Sequence, residues 1–187
     1  MSERVLDAAV PQTARPAEFR SMMAALPAGV SVVTARDPDG RPWGMTCSSV
    51  AGVALDPPTL LVCLRQASPT LEAVLSSGVF AVNLLHDAAR TAADLFASGD
   101  PERFERVEWS AGPESGGPHL TQSAHSVADC RVSGTVAVGD HFVVFGEIRH
   151  IETHHEDQPR PLLYGLRRYW CLDTDDNDDR PSRARAR

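Results

Sequence analysis

Between residues 130 and 151 the chain spells out a β-hairpin, and no other stretch of the sequence limits the fold as much. Cys130, Val132, Gly134, Val136 and Val138 alternate with Arg131, Ser133, Thr135 and Ala137. Alternation at period two places one set of side chains on each face of a strand, here with one face buried. Gly139-Asp140 supplies a two-residue turn, and the apolar pattern resumes from His141 to Ile151 as the returning partner.

The rest of the chain builds outward from that hairpin. Helical spacing begins at Pro16, with Phe19, Met22, Met23 and Leu26 on one face, and Pro27 and Gly29 end it. A strand over 29–35 follows, then a turn at Asp37-Pro38-Asp39-Gly40 and a longer β region from Trp43 to Leu55. Thr59 to Leu64 is a nearly continuous apolar run, the pattern of a strand covered on both faces. Ser68 caps a short helix with Pro69 at its first position and Gly78 at its end. Val79 to Leu85 is another strand, residues 87–97 a helix, residues 110–118 a loop, and Pro161 to Cys171 a last short strand. Strands outnumber helices and lack regular βαβ alternation. The predicted fold is therefore mostly β, an antiparallel barrel with peripheral helices.

The domain spans residues 16–172. Residues 1–15 carry little periodicity and read as a flexible segment. Residues 173–187 run from an aspartate-rich stretch into four arginines, with almost nothing apolar, and read as a disordered charged tail. The formal charge of -7 argues against a nucleic-acid backbone as partner. No apolar run approaches a membrane span and no signal-type core is present. The four cysteines are widely spaced, without CxxC, so a reduced, cytoplasmic protein is expected.

Four local features invite chemistry, and each has a plainer explanation. Gly44-Met45-Thr46-Cys47-Ser48-Ser49 offers hydroxyls and backbone N–H groups to a planar heterocycle and its polyol chain, or is a strand crossing the surface. Arg65 precedes Ser68-Pro69-Thr70 at a helix start, where N–H donors and the dipole suit phosphate; the plainer reading, which local sequence favours, is an ordinary N-cap beside a solvated Arg. Asn83 is the one amide inside an apolar strand, so its partners are a ligand or neighbouring backbone. His141 follows the Gly139-Asp140 turn, as a functional group or a solvated turn histidine.

Their order along the chain is more specific than any one of them. Gly44 to Ser49, Leu55-Asp56-Pro57-Pro58, Phe80 to Leu85, Arg103-Phe104, Gly139-Asp140-His141 and Gly146-Glu147 together resemble the short-chain flavin reductase family. Its members are reductase components of two-component flavin-dependent monooxygenases and share an FMN-binding split-barrel fold. The resemblance covers residues 17–171. It implies an NAD(P)H:flavin oxidoreductase that reduces FMN or FAD with NADH or NADPH and passes reduced flavin to a partner monooxygenase. It implies a homodimer with flavin near the subunit interface. Met45, Thr46, Cys47, Ser48 and Ser49 would line the isoalloxazine and ribityl chain, with Val53, Ala54 and Leu55 beside them. Arg65, Ser68 and Thr70 would hold phosphate, and Asn83 and Leu84 would contact the flavin. Gly139, Asp140, His141 and Phe142 match the nicotinamide segment, with His141 positioning that ring. Tyr169 matches an aromatic position near the barrel's end. Val50 departs from the bulkier aromatic residue of many relatives.

Two other readings stay in view. The same kind of barrel can hold flavin or haem as a non-catalytic carrier or sensor. A metal site on His150, His154 and His155 is weaker, because adjacent side chains on an extended chain point to opposite faces. No metal is expected.

Overall fold

The connection between two edge strands forces the main sheet to close on itself. The structure, a computed structural model, describes residues 13–112, 114–154 and 160–172. Helix α1 (Pro16–Ala24) leads into the short β1 (Ala28–Gly29), then β2 (Ser31–Arg36), β3 (Pro42–Cys47), β4 (Val50–Leu55) and β5 (Pro58–Arg65). Helix α2 (Pro69–Ser77), β6 (Val79–Leu85), a 3₁₀ turn at Asp87–Ala89 and α3 (Arg90–Ser98) follow. A second 3₁₀ turn at Arg103–Glu105 precedes β7 (Ala124–Val138), β8 (His141–Thr153), β9 (Leu163–Gly165) and β10 (Arg168–Trp170).

Seven strands pair antiparallel in the order β3-β2-β6-β7-β8-β5-β4. The two edges, β3 and β4, are consecutive in the chain and separated only by Ser48 and Ser49. In a flat sheet these edges would lie about 29 Å apart at ~4.8 Å per strand. The link from Cys47 to Val50 reaches only about 11 Å when fully extended. The sheet must therefore curl into a barrel with a seam between β3 and β4. The Cys63 amide of β5 donates to the Ser49 carbonyl at 3.1 Å, which carries the β4–β5 pairing up to the edge of the seam.

Apolar side chains fill the closed sheet from inside. Val33, Val62, Leu64, Phe80, Val82 and Val144 are fully buried and pack with Leu71 and Val74 of α2, which plugs the interior. A second cluster lies outside the barrel wall, where Val32 and Leu85 meet Ala93 and Phe96 of α3 together with Leu120 and Leu162. Strand β2 is thus buried on both faces. The separate sheet β1-β9-β10 flanks this second layer.

Several sequence expectations change in detail. The β region over 43–55 is two strands, broken where the chain crosses the seam. The strand over 29–35 is likewise split at Val30, which is buried in the second cluster. Strand β5 is covered on one face rather than both, with Leu60, Val62 and Leu64 buried and Leu61 and Cys63 half-buried. The helix over 87–97 opens as a 3₁₀ turn, and residues 161–171 form a two-strand hairpin instead of one strand. The long hairpin begins at Ala124; β6 pairs with β7 only as far as Arg131, and beyond it Val136 and Val138 are exposed. The helical stripe of α1 also faces outward, with Phe19, Met22, Met23 and Leu26 all exposed. The readings of residues 1–12 and of the 173–187 tail lie outside the described residues, as does His155.

Candidate active site

A cavity of about 580 Å³ opens at the barrel seam. The Gly44–Ser49 segment forms one wall; the Arg65–Thr70 segment, the end of α3, Arg103 and His141 form the others. The wall stands where it does because α3 lies directly on β3. A Cβ at Gly44 would sit 3.0 Å from the Phe96 ring and 3.1 Å from Phe104 and Thr34, so only glycine permits that approach. Two residues on, the Thr46 hydroxyl donates to the Ala93 carbonyl at 2.6 Å. Beyond this, Ser48 and Ser49 leave the ladder and stand exposed at the rim.

Its electrostatics are one-sided. Arg65, Arg103 and His141 line the space, and among the described lining residues none is acidic, although the chain as a whole is anionic. Arg103 is the unusual member because it is 7% exposed. One guanidinium nitrogen, Nη1, donates to the Asp100 carbonyl at 2.7 Å. Its Nε is a buried donor without a partner among the described residues. Burial lowers its pKa from that of a free guanidinium, the Asp100 carboxylate opposing this, but an Arg remains a cation. A buried, incompletely bonded cation favours an anionic acceptor in the adjoining space.

His141 closes the other side. Its Nδ1 lies 2.8 Å from the Asp140 carboxylate, which holds Asp140 below the usual carboxylate range. That bond fixes the ring and leaves Nε2 for the cavity. The hairpin tip is itself tied down, since the Gln66 amide donates to the Asp140 carbonyl at 2.9 Å.

A family profile described as "Flavin reductase like domain" matches residues 23–172. A flavin reductase (NADPH) from Lentzea aerocolonigenes is 46% identical over 153 residues, covering 82% of this chain and 88% of that protein. The chain belongs to the flavin reductase family. Two solved structures share its fold. Nitrilotriacetate monooxygenase component B from Mycobacterium thermoresistibile has a TM-score of 0.80 and 32% identity, covering 90% of this chain and 92% of that one. The Streptomyces globisporus NADH:FAD oxidoreductase SgcE6, solved with NAD and FAD fragments, has a TM-score of 0.80 and 27% identity, covering 89% and 99%. The antiparallel split barrel expected from the sequence is the fold of these flavin reductases.

Within this flavin reductase the cavity gathers nine of the residues singled out in the sequence. Met45, Thr46, Cys47, Ser48, Ser49, Arg65, Ser68, Thr70 and His141 all line it. Cys47 does so with its backbone, since its side chain belongs to the core and burial pushes the thiol pKa up. The Ser68 hydroxyl acts as the N-cap, accepting from the Thr70 amide at 3.2 Å, and also meets the Met45 sulfur at 3.3 Å. Tyr169 lines an adjoining chamber, where its hydroxyl donates to Asp94 at 2.8 Å. Burial and that carboxylate push its pKa to about 12, so it stays a donor.

Other expectations are corrected. Asn83 lies inside the protein, fully buried. Its Nδ2 reaches the Val32 and Pro118 carbonyls and Thr34 Oγ1 at 3.1–3.2 Å, and its Oδ1 accepts from the Leu120 amide at 2.7 Å. With its N–H donors engaged and no surface exposed, this amide is out of a ligand's reach. Leu84 points the other way along β6 and lies outside the cavity. Within one chain Val53, Ala54 and Leu55 are exposed on β4, also outside it. Phe142 packs against the core, while Gly139 and Asp140 form the turn that carries His141. The site also contains residues that the sequence did not single out for it, among them Phe96, Ala97, Gly99 and Arg103. Arg103-Phe104 carried part of the resemblance, but nothing local distinguishes a buried Arg from a solvated one.

Proposed function

We propose that the seam cavity binds the isoalloxazine and ribityl phosphate of FMN or FAD, and that NADH or NADPH delivers hydride there. The single observation that carries this reading is a cavity with two guanidinium walls and no acidic group among its described lining residues. Flavin supplies the hydride-accepting ring, and a reduced nicotinamide supplies the hydride. The chain's own work is positioning and electrostatics. Arg65 and the first turn of α2 hold phosphate. Arg103 sits where negative charge on a reduced ring is stabilised. His141, fixed by Asp140, orients the nicotinamide side through Nε2, without being an obligatory acid or base.

The reduced flavin passes to a monooxygenase component. One structural relative is component B of a nitrilotriacetate monooxygenase. The working unit is a homodimer. Its support is the apolar surface left uncovered on one chain, at Phe19, Met22, Leu26, Val53, Leu55, Val136 and Val138. Val53, Ala54 and Leu55 meet flavin from the second subunit in this arrangement. Sedimentation equilibrium with a flavin titration tests both parts. Twice the chain mass and saturable binding weakened by Ser49→Asp are expected; a monomer that binds neither flavin contradicts the reading. Among the described residues no helix is long and apolar enough to cross a membrane.

A further inference from the structure

Arg103 reaches the seam cavity from the second 3₁₀ turn (Arg103–Glu105), and Asp100 organises that turn. The Asp100 carbonyl accepts from the Arg103 amide at 3.3 Å and from Arg103 Nη1 at 2.7 Å. The Asp100 carboxylate is used elsewhere. Its Oδ1 accepts from the Glu102 amide at 2.8 Å, and its Oδ2 accepts from Arg106 Nη1 at 2.7 Å. Phe104 fastens the turn from behind. Its ring meets Phe96 edge to face at 5.1 Å, and its carbonyl accepts from Trp109 Nε1 at 3.1 Å.

This arrangement leaves a buried cation without a counterion. An arginine three residues from an aspartate has a carboxylate within reach for a forked pair, yet here Arg106 holds that carboxylate. Among the described residues Arg103 forms no ion pair. It has the neutral Asp100 carbonyl, the Trp43 ring centre at 6.0 Å and an unpartnered Nε. The Asp100 charge is nevertheless felt at Arg103: burial lowers the Arg103 pKa, Asp100 opposes this and Arg41 adds to it. Arg106 itself is 60% exposed and lies outside the cavity lining.

We propose that Arg106 is a positioning residue: by holding the Asp100 carboxylate it keeps Arg103 uncompensated at the cavity wall, and so favours reduced, anionic flavin over the oxidised form. The inference rests on the flavin reading of the cavity. Hydride accepted from the nicotinamide turns a neutral oxidised ring into an anion and leaves the nicotinamide a cation. A cation fixed beforehand beside that ring stabilises the charge that appears. A free Asp100 carboxylate would act on the same guanidinium and weaken its field.

Two substitutions of opposite sign test this. Arg106→Gln removes the cation that holds Asp100 and leaves the carboxylate to act on Arg103. Asp100→Asn removes the negative charge, while the backbone carbonyl still accepts from Arg103. Anaerobic titration with oxidised and with dithionite-reduced FMN gives the ratio of reduced to oxidised affinity for each protein. That ratio should fall about threefold in Arg106→Gln, the worth of a partly exposed charge pair. For a two-electron couple this lowers the potential of bound flavin by about 14 mV. The ratio should rise in Asp100→Asn and return toward the parent in the double variant. Arg106→Lys, which keeps the charge, should stay close to the parent. Simple loosening of the turn would move both single variants in the same direction. Shifts of one sign, or no shift, in single variants with the parent's melting temperature would overturn the proposal and leave the flavin reading standing. A parent that binds neither form of FMN or FAD would overturn both.

Discussion

Arg65 and His141 face each other at the last pair of the β5–β8 ladder, and both line the seam cavity. Antiparallel partners at that spacing are cross-strand neighbours. The register of these two strands, distant in the chain, thus sets the cation proposed for phosphate beside the ring proposed for the nicotinamide.

His141→Ala should raise the KM for NADH or NADPH by about threefold to tenfold, the worth of one hydrogen bond. Oxidised flavin should bind as before. Stopped-flow bleaching of flavin against nicotinamide concentration separates this from a proton-donor role. A donor would cost about 10²-fold or more in rate and bring a new pH dependence.

Arg103→Met keeps the length and apolar stem of the side chain while removing its charge. Flavin affinity, followed by fluorescence quenching, should weaken about tenfold, equivalent to ~1.4 kcal/mol. Arg103→Lys should recover only part of this, since an ammonium lacks the planar fork. Full affinity in the Met variant would show that Arg103 serves packing alone.

Asn83→Ala should destabilise the fold without acting on the site. The Pro118 carbonyl and the Leu120 amide would lose a buried partner, a cost of about 2–4 kcal/mol in chemical denaturation. Below the melting range the flavin affinity should match the parent. A selective loss of flavin binding would return Asn83 to the ligand role the sequence suggested.

A buried histidine away from the site should give stability a pH dependence. His119 lies with Nε2 2.8 Å from Asp129 and Nδ1 3.0 Å from Glu152. The Asp129 hydrogen bond, against the opposing effect of burial, raises its pKa above the ordinary 6.5. A raised native pKa means the contribution is complete below the unfolded value and is lost as pH climbs through the native one. The melting temperature of the parent should therefore fall over that range relative to His119→Gln. Parallel pH curves for the two proteins would contradict the assignment.

What the sequence revealed followed the range of the interactions involved. The 130–151 hairpin, the Ser68 cap and the Gly78 stop were legible because each is decided by neighbouring residues. The break at Ser48-Ser49 was not, because it exists only where the closing sheet brings its edges together. Asn83 was conspicuous as an amide in an apolar strand. Its partners come from 35 to 51 residues away, so local sequence left ligand and backbone equally open. The α1 stripe was read correctly as a helix face, yet among the described residues nothing covers it. The cavity wall from Gly44 to Ser49 was visible as small polar residues, whereas the buried state of Arg103 arises only from the packing of α3 and the 3₁₀ turn behind it.

The most direct test of the central claim is nicotinamide oxidation by the purified full chain, with FMN and FAD each paired with NADH and NADPH. The account predicts turnover that depends on added flavin, or rises strongly with it, in at least one pairing. Folded protein that oxidises neither nicotinamide with either flavin would contradict it and leave a binding barrel without catalysis.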